Sequence, residues 1–293
     1  MKKTIVLLLC ILFTCSFAAC SKPNVEYTVY SYSASAITDA TIGANEVSFK
    51  SIEEKNFMIT LGNTTTRPDN TPEQQTFEII GETYTLPYDY TTQTPMAECE
   101  TLKDYSLITT YQNVTDDYSV KCETSVSTGE ILFFSKSGDD VRNVSGKLTE
   151  QEAIEIANSA ISSLYGNEAQ QAYVYQTIIP VTDNGRNFYA VGYCRYVWGY
   201  PTKEKITVCV NKRGEVVGVN ALTLNLLSYA EEDVTKQEID NAVSVLHEMF
   251  SEKWSFFDEA LTIDSKGDYY FTAQISRTVD GMTEVEEVYI NVQ

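Results

Sequence analysis

Two stretches of this chain keep a helical period, and each is followed by strand patterns alone. That alternation restricts the fold more than any other feature. The first stretch starts at Thr149, an N-cap residue, with Glu150 and Glu152 in the first turn where carboxylates complement the helix dipole. Ala153, Ile154, Ala157, Ala160, Ile161 and Leu164 then recur at i, i+3, i+4 spacing, and Gly166 supplies a stop. The second stretch starts at Thr235, with Glu238 three residues later to complete a capping box. Its stripe is Ile239, Ala242, Val243, Leu246, Met249, Phe250 and Trp254. Stripes this wide suit helices lying on a sheet. Strand patterns follow the first helix at 172–181, 188–198, 204–211 and 216–222, and the second at 261–265, 269–277 and 285–292. Asp183-Asn184-Gly185 and Asp280-Gly281 mark hairpin turns. Before Thr149 the patterns are strands: 57–61, 76–86, 105–112, 118–126 and 130–135. The expected class is α+β, a strand-rich N-terminal part followed by two units that each pack one helix on an antiparallel sheet.

The first twenty residues bear on location. Lys2 and Lys3 precede an apolar run from Ile5 to Ala19, broken only by Thr14 and Ser16. This is a basic start and an apolar core, shorter than the roughly 20 residues that a membrane-spanning helix needs. The run ends in Phe17-Ala18-Ala19-Cys20-Ser21, which resembles the bacterial lipobox, although Phe17 stands where Leu is commoner. The resemblance implies that residues 1–19 leave as a signal peptide and that Cys20 carries a diacylglyceryl group. Two or more acyl chains anchor a protein stably, since each buried CH₂ contributes about 0.8 kcal/mol. The expected location is the cell membrane, lipid-anchored, on the side away from the cytoplasm. Residues 20–45, rich in Ser, Thr and Ala with scattered Tyr, read as a linker.

Loss of Lys2 and Lys3 with the signal takes the formal charge from −20 to −22. Such acidity repels nucleic-acid phosphates and keeps the body off anionic lipid. Of seven cysteines, Cys10 and Cys15 fall in the signal and Cys20 in the lipobox. The other four, Cys99, Cys122, Cys194 and Cys209, permit two disulfides in an exported chain. Tyr189, Val191, Tyr193 and Val197 alternate along one strand, and Ile206, Val208 and Val210 along the next. Pairing these strands across a loop at Tyr200-Pro201 sets Tyr193 opposite Val210 and Cys194 opposite Cys209. The apolar sets then share one face and the cysteines the other. This predicts a Cys194–Cys209 disulfide and, by elimination, Cys99–Cys122. With one His and no CxxC spacing, neither a zinc site nor a cofactor is expected.

The expected segments are the signal peptide at 1–19, the linker at 20–45, a strand-rich domain at 46–146, an α+β domain at 147–228 and a C-terminal α+β unit at 229–293. The stretches 122–134 and 209–219, each turning at a Gly followed by Glu and an apolar strand, form a weak internal repeat. The runs LTEQEAIEIANSAI (148–161), FYAVGYCRYVWGY (188–200) and ITVCVNKRGEVVGV (206–219) resemble a PepSY-type module. Residues 229–293 read as a degenerate second copy lacking the closing hairpin. The whole layout is similar to exported PepSY-like lipoproteins of Gram-positive anaerobes. PepSY-type modules are non-catalytic, so the resemblance implies a protein that restrains peptidases or assists envelope assembly, and it supplies no catalytic residues.

The residues agree. His247 sits at the edge of the second helical stripe and has no second His for a triad or an HExxH motif. No GxSxG, SxxK, Walker loop or GxGxxG occurs. Acidic pairs at Asp116-Asp117, Asp139-Asp140, Glu231-Glu232-Asp233 and Glu284 with Glu286-Glu287 fall in turns or at element ends and read as solvated charge. Tyr196, Trp198 and Tyr200 cluster at a hairpin tip, where exposed aromatics can anchor a partner. The expected function is a non-catalytic envelope lipoprotein that binds or modulates another envelope or extracellular protein, with a peptidase as one such partner. The alternative is a surface binder of a glycan or peptide, and a cryptic hydrolase comes third.

Overall fold

A computed structural model describes residues 25–31, 40–51, 67–95, 105–138, 141, 144–183, 186–221, 233–250, 254–263 and 267–293. The signal-like segment, Cys20 and Cys99 lie outside the described residues. Among those described, no helix is long and apolar enough to cross a membrane.

The described residues are mostly strand, with two helices. Strands β1 (Glu26–Ser31), β2 (Ala40–Ile42) and β3 (Asn45–Ser51) come first. Then come β4 (Gln74–Ile79), β5 (Glu82–Pro95), β6 (Tyr105–Val114), β7 (Tyr118–Ser125) and β8 (Ile131–Gly138). The first helix, Glu150–Ala172, leads into β9 (Tyr173–Asp183), β10 (Arg186–Val197), β11 (Tyr200–Asn211) and β12 (Val216–Asn220). The second helix, Lys236–Phe250, leads into β13 (Ser255–Ile263), β14 (Tyr269–Val279) and β15 (Met282–Asn291). All fifteen strands join in one open mixed sheet, so the α+β expectation holds for the helix-on-sheet units but understates the share of strand.

Both helix starts follow from sequence. Thr149 and Thr235 each accept a backbone N–H from the Glu three residues on, and each Glu carboxylate accepts in return from its cap residue. Gly166, at φ +89°, interrupts the first helix, but the helix resumes and runs to Ala172. The expected stop is therefore a kink.

Two cores lie next to each other along this sheet, one under each helix. The first joins Ala153, Ala157, Ala160 and Ile161 of the first helix to Tyr189, Val191, Val208 and Val210, and equally to Ile108, Cys122, Leu132 and Phe134. The expected boundary at 146/147 thus runs through a single core. The cause is long-range: β12 pairs antiparallel with both β11 and β8, setting Gly218 opposite Ser135 and Val219 opposite Phe134. The weak repeat now has a meaning, because the β7–β8 and β11–β12 hairpins lie side by side with β8 against β12. Gly146 locks the entry to the first helix. A Cβ there would overlap the Lys212 carbonyl, so Gly146→Ala is expected to cost about 2 kcal/mol in a denaturant melt, the cost of forced backbone displacement.

The second core holds Ile239, Ala242, Leu246 and Phe250 against Phe271, Ile275, Val288 and Ile290. Tyr27 and Val29 of β1 are buried in it. β1 pairs antiparallel with β15 and parallel with β3, so a core strand occupies what composition marked as linker at 20–45. The two helical units also match in order. One runs helix, β9, β10, β11, β12. The other runs helix, β13, β14, β15, and β1 then takes the place of the missing closing strand.

The units meet on β11. Near its start Thr202 pairs parallel with Leu261 of β13, and further along residues 207–210 pair with β12.

Candidate functional site

The β10–β11 hairpin turns on Trp198 and Gly199, at φ +50° and +86°, the paired positive values of a two-residue type I′ turn. That turn, with a bulge between Cys194 and Tyr196, sets Tyr193 opposite Ile206 and Cys194 opposite Lys205. The expected pairing of Tyr193 with Val210 is off by four residues. An even shift keeps every side chain on its predicted face, which is why the alternation alone did not expose the error.

The disulfide falls with the register. Cys209 lies opposite Ala190, four residues along the ladder from the Cys194 pair, or about 13 Å at the usual strand rise. A disulfide needs Cα atoms within about 7 Å. Cys122, Cys194 and Cys209 all carry free thiols. Burial pushes each thiol up, that of Cys209 to about 11. Without denaturant all three are expected to resist alkylation, and in denaturant to react within the same time. Mass mapping of the alkylated protein checks this, and a Cys194–Cys209 link would contradict it.

The three tip aromatics are largely occupied within the chain. Trp198 Nε1 donates to the Val234 carbonyl at 2.7 Å, while 42% of the residue stays exposed. The Tyr200 hydroxyl donates to Asp240 Oδ1 at 2.7 Å, and its ring meets Phe271 edge-on at 5.9 Å. Burial, with Asp240 adding to it, raises the Tyr200 hydroxyl to about 12. Lys236 and then Tyr200 hold Asp240 below the usual carboxylate range. Tyr196 donates to Gln176 Oε1 at 3.1 Å. Val197 is buried in the second core, so the tip clasps one unit to the other.

The ionisable side chains near the joint are paired too. Glu204, 1% exposed, accepts from the Tyr173 hydroxyl at 2.5 Å and lies 3.6 Å from Arg195 Nη1, an ion pair too long for a hydrogen bond. Lys203 Nζ sits 3.2 Å from Glu287 and 3.3 Å from Asp258. Burial alone would lower the Lys203 ammonium, but those two carboxylates outweigh it and hold it above its ordinary value. Of the acidic pairs singled out, Glu284 binds Arg277 and Glu286 accepts from Ser31. His247 contacts Glu259 and stacks on Phe256 at 4.2 Å. Among the described residues no group of three or more His, Cys, Asp or Glu is placed to hold a metal.

What is left open is the sheet face opposite the first helix. One row crosses five strands by direct pairing: Ile179, Ala190, Cys209, Gly218 and Ser135. Four of these five are small, and Cys209, Gly218 and Ser135 form the floor of a trough walled by Phe133, Phe188 and Val217, with a cavity of about 220 Å³. Lys121 lies 5.5 Å over the Phe133 ring. At one end Ile179 is 54% exposed on β9. Among the described residues β9 pairs only with β10, and its other edge is blunted by a register shift near Gln176 and by Pro180, which has no N–H to donate. Sequence reasoning missed this trough because its small residues lie on separate strands that no local pattern brings together. A second cavity of about 390 Å³ lies at the end of the second unit, among Thr28, Tyr30, Asp233, Glu238, Asp268 and Asn291.

Residues 80–219 match the family model of the YcdB, YcdC repeated domain. The match takes in just under half the chain, from β5 to β12 with the first helix, and it fits a PepSY-like domain. No curated protein matches the chain. The C-terminal domain of YpeB from Bacillus megaterium is similar at 12% identity and a TM-score of 0.34, over 69% of this chain and 89% of that one. A crystal structure of MucB is similar at 11% identity and a TM-score of 0.11, over 66% and 84%. At these scores neither likeness bears on fold or function.

Proposed function

We propose that the chain is a non-catalytic, lipid-anchored envelope protein that binds another envelope or extracellular protein through the trough opposite the first helix. The trough carries this reading. Its volume accepts one large apolar side chain, its floor is small residues, and its aromatic walls are half-buried and held by the ladder. Rigid apolar pockets of this kind supply hot spots worth about 2 kcal/mol or more. The ionisable groups at the joint are paired within the chain, which suits binding better than proton transfer.

Selection of a displayed peptide library on the purified protein tests it. Peptides sharing one large apolar residue should be enriched, and Phe133→Ala with Phe188→Ala should cut their binding at least tenfold, about 1.4 kcal/mol. Ser135→Arg, which fills the floor without removing a wall, should do the same. Undiminished binding by variants with native circular dichroism would sink the reading. The aromatic walls also suit a sugar ring. Binding to a glycan array by wild type alone would replace the protein partner with a glycan. For the anchor, Cys20→Ala should release the protein to the medium, and unchanged membrane association would defeat that part.

A further inference from the structure

We infer that in the lipidated protein the end of the second unit where β1 begins is held against the outer face of the bilayer, with the Asp280-Gly281 hairpin tip directed away from it. This rests on the lipid anchor at Cys20. Cys20 and Val25 are five residue steps apart, and a fully extended chain spans at most about 3.6 Å per step, or about 18 Å in all. A true 26-residue linker would have left the body free to turn. The observed strand does not, because β1 starts at Glu26 and is fixed on both sides.

The pairing defines what lies at that end. Glu26 is opposite Glu46 at the start of β3, and the Thr28 amide donates to Asn291 Oδ1 at 2.6 Å, at the finish of β15. Asn291 in turn pairs with Tyr270, near the start of β14. The rim facing the bilayer therefore carries Glu26, Glu46, Asp268 and Gln293, and opens into the cavity of about 390 Å³. The far end of the same strands is the tip, where Met282 is 71% exposed and Val279 and Val285 are exposed beside it. β15 spans 10 residues, so rim and tip are about 30 Å apart at the usual rise.

Charge sets how close the rim comes. Glu26, Glu46, Asp233 and Asp268 are exposed at this end, and Lys236 on the adjoining helix is paired with Asp240. An anionic surface repels such a rim over roughly 10 Å at 0.1 M salt and over about 3 Å at 1 M. The tether is long enough to let it stand off by that much.

The test uses the full lipidated protein on neutral phosphatidylcholine vesicles bearing an acceptor dye at the headgroups. A donor is attached through a click-reactive residue placed at Gln293 or at Met282, the two ends of one strand. Energy transfer from position 293 should exceed that from 282 about twofold or more, given their separation. A Gly/Ser insertion of about 20 residues after Ser21 should abolish the difference, since such a chain adds roughly 25 Å of flexible reach. On anionic vesicles transfer from 293 should fall at low salt and recover at high salt. Equal or reversed transfer with the native tether overturns the inference, as does a difference that survives the insertion. Insertion of the tip into the bilayer would appear as the reversed result. Failure of the wild type to bind vesicles at all would instead defeat the lipid anchor, and the orientation with it.

Discussion

Val29→Asp is expected to melt the second unit and leave the first folded. Val29 is completely buried between β15 and β3, in the core that the second helix covers. The residues packed around it are apolar, so a carboxylate there must be buried against them or expelled with its strand. The expected loss is about 4 kcal/mol or more, at the upper end of single-residue effects. Hydrogen exchange followed by mass spectrometry should show β13 to β15 losing protection while β10 and β11 keep theirs. Equal loss in both units would mean that they fold as one body. Retained protection in both would mean that β1 contributes little to the core it enters.

Trp198→Ala combined with Tyr200→Ala should separate the melting of the two units. The pair supplies the Trp198 bond to Val234, the Tyr200 bond to Asp240 and the ring contact with Phe271, all directed from the first unit into the second. Together they should be worth about 4 kcal/mol, less than two fully buried aromatics because Trp198 is partly exposed. Calorimetry should resolve two transitions where the wild type gives one, with the upper transition little changed. A single transition, merely shifted down, would place these rings in one shared core.

Much of the local structure is legible in the residues. The capping boxes at Thr149 and Thr235 and the stripes behind them give both helices, and Asp280-Gly281 gives the last hairpin. The alternation of Tyr189, Val191 and Tyr193 gives the face that packs on the first helix. Alternation has period two, however, and cannot distinguish one register from another shifted by four. The Trp198-Gly199 turn settles that, and Trp is not a residue whose presence announces a positive φ. β1 was hidden for another reason. Tyr27 and Val29 alternate as a strand should, but within six residues whose neighbours have the composition of a linker. The core shared across 146/147 arises because β12 closes on β8, strands some eighty residues apart, and no local signal carries that pairing. The trough is the extreme case, since its lining is assembled from four strands.

The placement of β1 also bears on how the protein would take mechanical load. A pull on the N-terminal end enters along the axis of a strand flanked on both sides, by β15 and by β3. Force applied that way shears the ladder bonds together instead of peeling them one at a time. At the sheet margin, where β2 lies, the first strand would have had only one ladder to resist that shear. Tension entering there would thus be shared by both flanking strands, and the folded body could be tugged without its first strand coming away.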